Sequence, residues 1–451
     1  MEIISTSSTQ QKLDTLPEEI LDSIARFAPQ DIRSLRSSCK AVEQKTFHAF
    51  LKVVINVRTL WVNRPSMTSL RNLSQSERLA PHVQKIIIMP YEWDVDLADA
   101  LWADGSDLDE GEAKEFKEFY EEWTEQTYLA QSGAWTMYLA QLLAAFPNLD
   151  GIDMFPSFMN EDFFGDHTRL TFQERTGLSQ SLSSDYINQL WFSLCQAIIG
   201  TDWKPKSIRV GLDQDNHLHP DGLICLPKPQ RKYLTGSFAQ LNKLYLAFSI
   251  PNSNPDHKML LKALNEFLKL CTNVSELALQ VTEDHEDSYS YDDDERYISN
   301  VEAWPIFPNL EYFEFSYARC NSVQLRDFLK KHRATLRELI LIELDFVEED
   351  IWRIFLEGVG EELDLDKADI SLYEERHGNI DMINAKRPNI KQAIQDRVLE
   401  GIFCYRCSRP GGFDSPPTMD SDEYSSDGAE LDSEMHSLAD DDEEDDWEDE
   451  V

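Results

Sequence analysis

A short pattern of apolar and polar positions recurs along much of the chain: an apolar residue, two variable residues, a second apolar residue, one variable residue and a third apolar residue. Alternate side chains of a β-strand point to opposite faces, so the last two apolar positions of each copy share one face. The pattern therefore predicts a series of short strands, each with one buried face. Seven copies are VQKIIIM from Val83, LDGIDMF from Leu149, PKSIRVG from Pro205, LNKLYLA from Leu241, VSELALQ from Val274, LEYFEFS from Leu310 and LRELILI from Leu336.

Segments with helical spacing precede several copies, as in DYINQLWFSLCQAI, HKMLLKALNEFLKLC and SVQLRDFLKKHRA. A helix followed by a strand cannot bury its apolar face alone, and stacked units would form a parallel sheet with the helices outside. The last four copies are 33, 36 and 26 residues apart, somewhat long against the ~20–29 residues of regular leucine-rich repeats. We therefore expect an α/β fold, an irregular leucine-rich-repeat-like solenoid over residues 56–410. An ordinary α/β domain with a parallel sheet fits the same alternation.

Two segments interrupt this alternation. Residues 91–146 contain EAKEFKEFYEEWTEQTYLAQ, which predicts a helical insertion at one edge of the array. Residues 282–297, TEDHEDSYSYDDDERY, are strongly acidic and predict a surface loop. Further on, GVGEELDLDKADISLYEERHGNI predicts one more strand, which would close the array with a polar cap.

A different apolar pattern fills residues 13–55, after a flexible N-terminus of residues 1–12. Pro17 suits the first turn of a helix, and Glu18 and Glu19 suit its positive end. Asp31 is a suitable N-cap for a second short helix. Three short helices cannot bury all of their apolar residues against one another, which implies a partner. These residues are Ile20, Leu21, Ile24, Phe27, Ala28, Ile32, Leu35, Val42, Phe47, Phe50 and Leu51.

The segment LPEEILDSIARFAPQDIRSLRSSCK resembles an F-box, and KTFHAF after it resembles the form found in F-box proteins of filamentous fungi. Val42 stands where the family often has tryptophan. A helical hairpin that only caps the following domain is the alternative. The matching positions are Leu16, Pro17, Glu19, Ile20, Leu21, Ile24, Asp31, Ile32, Leu35, Arg36, Cys39 and Lys40.

The resemblance implies a docking role. F-box helices bind the adaptor subunit of an SCF-type cullin–RING ubiquitin ligase, and the rest of such a chain holds the protein substrate. The protein itself would then be non-catalytic and would reach the cullin through the adaptor. The implied adaptor contacts are Leu16, Pro17, Ile20, Leu21, Ile24, Ile32 and Leu35, together with Cys39 and with Arg36 and Lys40 at the rim.

The charge of the chain supports a second interpretation. The formal net charge is −41, from 83 acidic and 42 basic residues. Such a charge disfavours direct contact with nucleic acid or anionic membrane and favours basic partners. Residues 411–451 are dense in Asp and Glu and predict a disordered tail. The alternative function is therefore an acidic scaffold or chaperone-like protein that binds basic partners outside a ubiquitin ligase.

Catalytic and metal-binding motifs are sparse. The sequence has no glycine-rich phosphate loop, no G-x-S-x-G elbow and no H-E-x-x-H pair, so we expect neither an enzyme nor a cofactor. Cys404 and Cys407 form a lone C-x-x-C, and His217 and His219 lie near Cys225, but a structural zinc needs four ligands. Seven scattered cysteines predict reduced thiols and a cytoplasmic or nuclear location. No apolar run approaches the ~20 residues of a membrane helix.

The variable positions of the strand pattern predict a substrate surface. They alternate with the buried positions and so share the opposite, open face of the sheet. Tyrosine offers a large contact area with few rotatable bonds, so we expect Tyr245 and Tyr312 to anchor a partly basic target. The glutamates of the later strands would steer its approach. Arg209, Glu314 and Glu338 complete the candidate substrate residues. The open-face set is Lys85, Asp153, Arg209, Tyr245, Glu276, Tyr312, Glu314 and Glu338.

Overall fold

The protein is described by a computed structural model. The chain has two units, Met1–Phe403 and Cys404–Val451, and the described residues all lie in the first. The predicted N-terminal segment, most of the acidic loop, the tail and the two cysteine and histidine motifs lie outside the described residues. These residues are 13–27, 31–90, 92–93, 110–154, 180–181, 184–211, 218, 220–223, 226–250, 254–283, 297–346, 352–374 and 378–400.

Helices and strands alternate along most of the described chain. The helices are α1 Glu18–Phe27, α2 Ile32–Ser37, α3 Lys40–Lys45, α4 Phe47–Phe50, α5 Arg64–Ser74, α6 Glu110–Gln131, α7 Ala134–Ala145, α8 Ser184–Ile199, α9 Pro220–Leu223, α10 Lys228–Ser237, α11 Asn254–Leu268, α12 Ser322–Lys331, α13 Trp352–Glu362 and α14 Ile390–Glu400. The strands are β1 Val57–Trp61, β2 Lys85–Met89, β3 Glu92–Trp93, β4 Gly151–Met154, β5 Gln180–Ser181, β6 Ser207–Val210, β7 Lys243–Ile250, β8 Glu276–Glu283, β9 Tyr297–Ile298, β10 Tyr312–Ser316, β11 Arg319–Cys320, β12 Glu338–Phe346, β13 Lys367–Glu374 and β14 Gly378–Lys386.

Twelve strands form one sheet whose order largely follows the chain. From β1 through β2, β4, β6, β7, β8, β10 and β12 to β13, each strand pairs in parallel with the next. Strand β14 adds antiparallel to β13, and β9 and β11 extend the sheet beside the second half of β12. The α/β class with a mostly parallel sheet is therefore confirmed, and all seven copies of the sequence pattern are strands of it.

The turns that lead into these strands repeat one hydrogen-bonded arrangement. The carbonyl of Asn56, just before β1, accepts hydrogen bonds from the backbone N–H groups of Gln84 (2.9 Å) and Lys85 (3.1 Å), at the start of β2. Each strand start is thereby tied to the next. The carbonyls that do the same at the following steps belong to Gln84, Asp150, Lys206, Asn242, Ser275, Glu311 and Arg337.

One apolar cluster runs through the whole array, from Leu51 to Ile394. The last two apolar positions of each copy lie within it, for example Leu277 and Leu279 of β8, both fully buried. The covering helices supply the largest side chains, such as Trp191 of α8. The sheet is therefore stabilised mainly by burial of apolar area against the helices, at roughly 25 cal/mol per Å².

Helix α7 corrects one sequence prediction. Residues 91–146 were expected to decorate an edge, but Trp135, Leu139 and Leu142 of α7 are buried in the main apolar cluster. The helix packs on α5 and α8, between β2 and β4 in the chain. The prediction that this segment is helical holds for α6 and α7, whereas Glu92–Trp93 forms the short strand β3. Its position at an edge is wrong for α7, because this helix buries the same face of the sheet as the other helices.

The end of the array also differs from the prediction. The segment from Gly358 to Ile380 was expected to hold one strand, but it holds β13 and the beginning of β14. These two strands pair antiparallel, and α14 packs against β14 and α13. The additional strand gives β13 a partner on the side away from β12, and β14 takes the end position.

Candidate functional site

Helix α1 carries apolar residues on two different faces. Leu21 and Ala25 are buried, as helix spacing places them on one side. Ile20, Ile24 and Phe27 lie on a neighbouring face, which we call the outer face, and are 48%, 38% and 91% exposed. A short amphipathic helix normally exposes polar residues on its outer face. The outer face of α1 therefore has the character of a docking surface.

The inner face of α1 belongs to a small core of the N-terminal helices. Ala25 packs with Ile32 of α2 and Ala49 of α4, and Phe50 and Val54 lie against them. Leu21 and Ile32, both predicted as adaptor contacts, are fully buried. Both side chains therefore pack within the helical unit and are not part of its exposed surface. Asp31 occupies the N-cap position of α2, but its side chain makes no capping hydrogen bond.

Arg36, which was predicted at the rim of the adaptor contact, has its side chain engaged within the helical unit. Its guanidinium lies 4.3 Å from the centre of the Phe50 ring, and its Nη1 donates to the Glu43 carbonyl at 2.9 Å. The side chain is only 12% exposed, and burial lowers the pKa of Arg36, although Glu43 opposes that shift. Arg36 therefore packs within the unit, where its planar group stacks on an aromatic ring.

The remaining predicted adaptor contacts divide by exposure. Pro17, Cys39 and Lys40 are exposed. Leu16 and Leu35 are half-buried, and the Leu16 carbonyl accepts a hydrogen bond from Lys45 Nζ at 2.9 Å. The exposed surface thus consists of the outer face of α1 with Pro17 before it and Cys39 and Lys40 at the start of α3.

Strand register places the eight predicted open-face residues in two rows across the sheet. Positions two apart on a strand share a face, so both rows lie on the same face. One row contains Lys85, Glu276, Tyr312 and Glu338, and the other contains Asp153, Arg209, Tyr245 and Glu314. In the first row Lys243 also stands between Lys85 and Glu276, opposite Glu276.

Several charges of this face are paired with one another. Lys85 Nζ lies 2.9 Å from Asp153 Oδ2, and Asp153 is buried. Lys243 Nζ lies 2.7 Å from Glu276 Oε1. Lys243 occupies the same position of the pattern as Lys85 and Glu276, but it was not among the predicted open-face residues. The charge on the part of the face formed by β2–β8 is thus largely neutralised.

Two tyrosines stand at the centre of the face. The Tyr245 hydroxyl donates to Glu276 Oε2 at 2.8 Å, and burial followed by Glu276 raises the pKa of Tyr245 to about 12. The Tyr312 hydroxyl donates to Glu314, and burial followed by Glu314 raises its pKa as well. The two ring centres are 6.5 Å apart. The predicted anchors are therefore neighbours, and each is oriented by a carboxylate.

Sequence reasoning missed a distortion just after β10 and within β12. Tyr317 and Glu343 have φ angles of 60° and 51°, a region that residues other than glycine rarely adopt. A change of register between Leu341 and Leu344 accompanies them. No glycine marks either position in the sequence, so no sequence signal pointed to the distortion.

The described residues contain neither a metal-binding cluster nor a membrane-spanning helix. That part of the chain contains no group of three or more His, Cys, Asp and Glu side chains that could hold a metal ion. Nor does it include a helix with the length and apolarity required to cross a membrane. In comparisons with known proteins, the chain matches no family model and no curated protein.

Proposed function

We propose that the protein is a substrate-recognition subunit of an SCF-type cullin–RING E3 ubiquitin ligase. The N-terminal helices would bind the adaptor, and the open face of the sheet would bind a protein target. The observation that carries this proposal is the outer face of α1, where Ile20, Ile24 and Phe27 remain exposed while Leu21 and Ala25 form the inner packing. Apolar helix residues of this kind fit a helix-in-groove interface.

We propose further that the α/β array is an irregular leucine-rich-repeat-like solenoid. The strand order supports this interpretation, because the parallel strands from β1 to β13 follow the chain order without the reversal of a doubly wound sheet. The repeated turn hydrogen bonds support it as well, since one carbonyl arrangement recurs at successive strand starts. Such arrays present one sheet face to partners.

Adaptor binding tests the proposal. Ile20→Ala combined with Ile24→Ala should weaken binding of the purified adaptor by about thirtyfold, because truncation of interface hot spots typically costs ~2 kcal/mol or more. The measurement is a titration of the full-length protein with the adaptor. The melting temperature should stay close to that of the wild type, since both side chains are substantially exposed.

A matched control uses equally exposed aliphatic residues on other helices. Val323 of α12 and Ile354 of α13 are 48% and 54% exposed, and their double alanine variant should bind the adaptor as the wild type does. If the Ile20 and Ile24 variant binds with unchanged affinity, the F-box assignment is wrong. A wild-type protein that does not bind the adaptor would favour the acidic scaffold outside a ligase.

A further inference from the structure

The open face of the sheet has two parts that differ in how their charges are paired. Asp153 pairs with Lys85, and Glu276 pairs with Lys243. On β10 and β12, in contrast, Glu314 and Glu338 form no salt bridge with any described Lys or Arg. We call Tyr312, Glu314 and Glu338 the acidic half of the face. It combines an aromatic ring with two carboxylates that form no ion pair with a described basic side chain.

Tyr312 is a neighbour of both carboxylates on the open face. It stands in register with Glu338 and two residues before Glu314, to which its hydroxyl donates. Burial raises the pKa of Tyr312, and Glu314 and Glu338 add to that effect. A cation placed over this ring would therefore meet two negative groups.

The same face already contains one cation on a tyrosine ring. The Arg209 guanidinium lies 4.5 Å from the centre of the Tyr245 ring, whose hydroxyl donates to Glu276. Tyr312 repeats the combination of a tyrosine ring and a hydrogen-bonded carboxylate, two strands farther along the sheet. At Tyr245 the protein itself supplies two cations. Arg209 lies over the ring, and Lys243 pairs with Glu276. At Tyr312 neither carboxylate has such a cation among the described residues.

We propose that the acidic half binds an arginine side chain of the target protein, with the guanidinium over the Tyr312 ring and hydrogen bonds to Glu314 and Glu338. This inference rests on the proposed function and names the chemistry of the substrate. Arginine fits better than lysine, because a planar group with five donors can bridge two carboxylates and stack on a ring, whereas an ammonium group is a compact and strongly hydrated charge. Lys367 of β13 stands opposite Glu338 without an ion pair, so the guanidinium belongs on the β10 side of Glu338.

A peptide selection tests this inference. The purified full-length protein is used to select binders from a phage-displayed library of random peptides, and one selected peptide is synthesised with arginine, lysine or citrulline at each arginine position. We expect enrichment of arginine and a loss of at least about tenfold in affinity on replacement by lysine at one position, with a greater loss for neutral citrulline. Selected peptides without an excess of arginine, or lysine versions that bind equally well, would overturn the inference.

Variants locate the contact. The double variant Glu314→Gln with Glu338→Gln should bind the arginine peptide with at least about tenfold lower affinity. It should also discriminate less between the arginine and lysine peptides. Tyr312→Ala should also lower the affinity for the arginine peptide. Tyr312→Phe keeps the ring, so its affinity should stay within about threefold of the wild-type value. The control Glu361→Gln removes the same kind of charge from an exposed position on α13 and should bind normally. If the Glu314 and Glu338 variant binds as well as this control does, the site is elsewhere.

Adaptor binding, measured on the same proteins, separates this inference from the proposed function. The Glu314 and Glu338 variant should bind the adaptor as the wild type does. A protein that selects arginine peptides but does not bind the adaptor would support the acidic half as an arginine site and overturn the ligase role. Adaptor binding without arginine selection would overturn the arginine site alone.

Discussion

His332 shows how a single buried polar residue is fitted into this fold. Its Nε2 accepts a hydrogen bond from the Phe307 backbone N–H at 3.0 Å, and its Nδ1 lies 2.9 Å from the Phe328 carbonyl, to which it donates. The ring packs against the side chains of Phe307 and Phe328. Both nitrogens are thus used by the neutral imidazole. Burial lowers the pKa of His332, and Lys331 adds to this effect.

The lowered pKa makes stability depend on pH in a defined direction. As pH falls through the unfolded pKa of about 6.5, the unfolded chain binds a proton that the folded site resists, so the free energy of unfolding decreases. We expect His332→Gln to reduce the loss of stability between pH 7.5 and 5.5, by at most about 1.4 kcal/mol per pH unit. Denaturant titrations at both pH values measure this. The control is His48→Gln at an exposed position, and its stability should change with pH as that of the wild type does. If the free energy of unfolding of all three proteins changes equally between the two pH values, His332 is not the source of the pH dependence.

At the scale of the element, the two faces of one strand should tolerate substitution very differently. Leu277 of β8 is fully buried in the main cluster, so Leu277→Ala should lower the free energy of unfolding by ~2–5 kcal/mol through the cavity that it leaves. Gln280, on the open face of the same strand, is partly exposed. Gln280→Ala should change stability by less than about 0.5 kcal/mol. Chemical denaturation of both variants checks the pair, and similar losses would mean that the open face is also part of the core.

The strands that the sequence pattern missed have identifiable causes. In β1, Arg58 pairs in register with Ile86 and therefore occupies the central apolar position of the pattern. Strand β13 was predicted from its segment but was not counted as a copy of the pattern, because Ala368, which pairs with Leu339, is a small residue at the same position. The seven detected copies carry larger apolar residues there. Periodicity thus predicts the strands whose buried face is strongly apolar, and register alone identifies the others.

The candidate surfaces were predictable to different degrees. Alternation along a strand assigned Tyr245 and Tyr312 to one face, because the period of two leaves little freedom. The outer face of α1 was less predictable, since Ile20 and Leu21 are adjacent apolar residues with opposite exposure. Only the packing of Ala25 on Ile32 and Ala49 fixes which side of the helix is buried. The stacking of Arg36 on Phe50 likewise depends on tertiary contacts that the sequence does not specify.

At the scale of the whole molecule, the N-terminal helices serve the array as well as the proposed adaptor. Leu51 and Ile55, in the π-helical turn that follows α4, belong to the main apolar cluster, and Phe47, Phe50 and Val54 pack against it. Arg78, which follows α5, stacks on Phe47 at 3.9 Å. The capping role and the docking role considered for this segment therefore use different residues. The cap consists of α4 and the turn after it, and the proposed docking surface is the outer face of α1.

A chain that begins at Asn56 should therefore be less stable than the full-length protein. It lacks two buried aliphatic residues of the main cluster, each worth about 1.5–3 kcal/mol, and leaves the first unit of the array without a cap. We expect a clear fall in melting temperature, measured by scanning calorimetry, together with a tendency to aggregate. The full-length Ile20→Ala and Ile24→Ala variant should show no such fall, because those side chains lie on the outer face of α1. If the truncated chain melts at the wild-type temperature, the helices are an independent module, and their deletion could then be used directly to test adaptor binding. If it melts earlier, loss of partner binding on truncation reports unfolding of the array, and only the point variants isolate the docking surface.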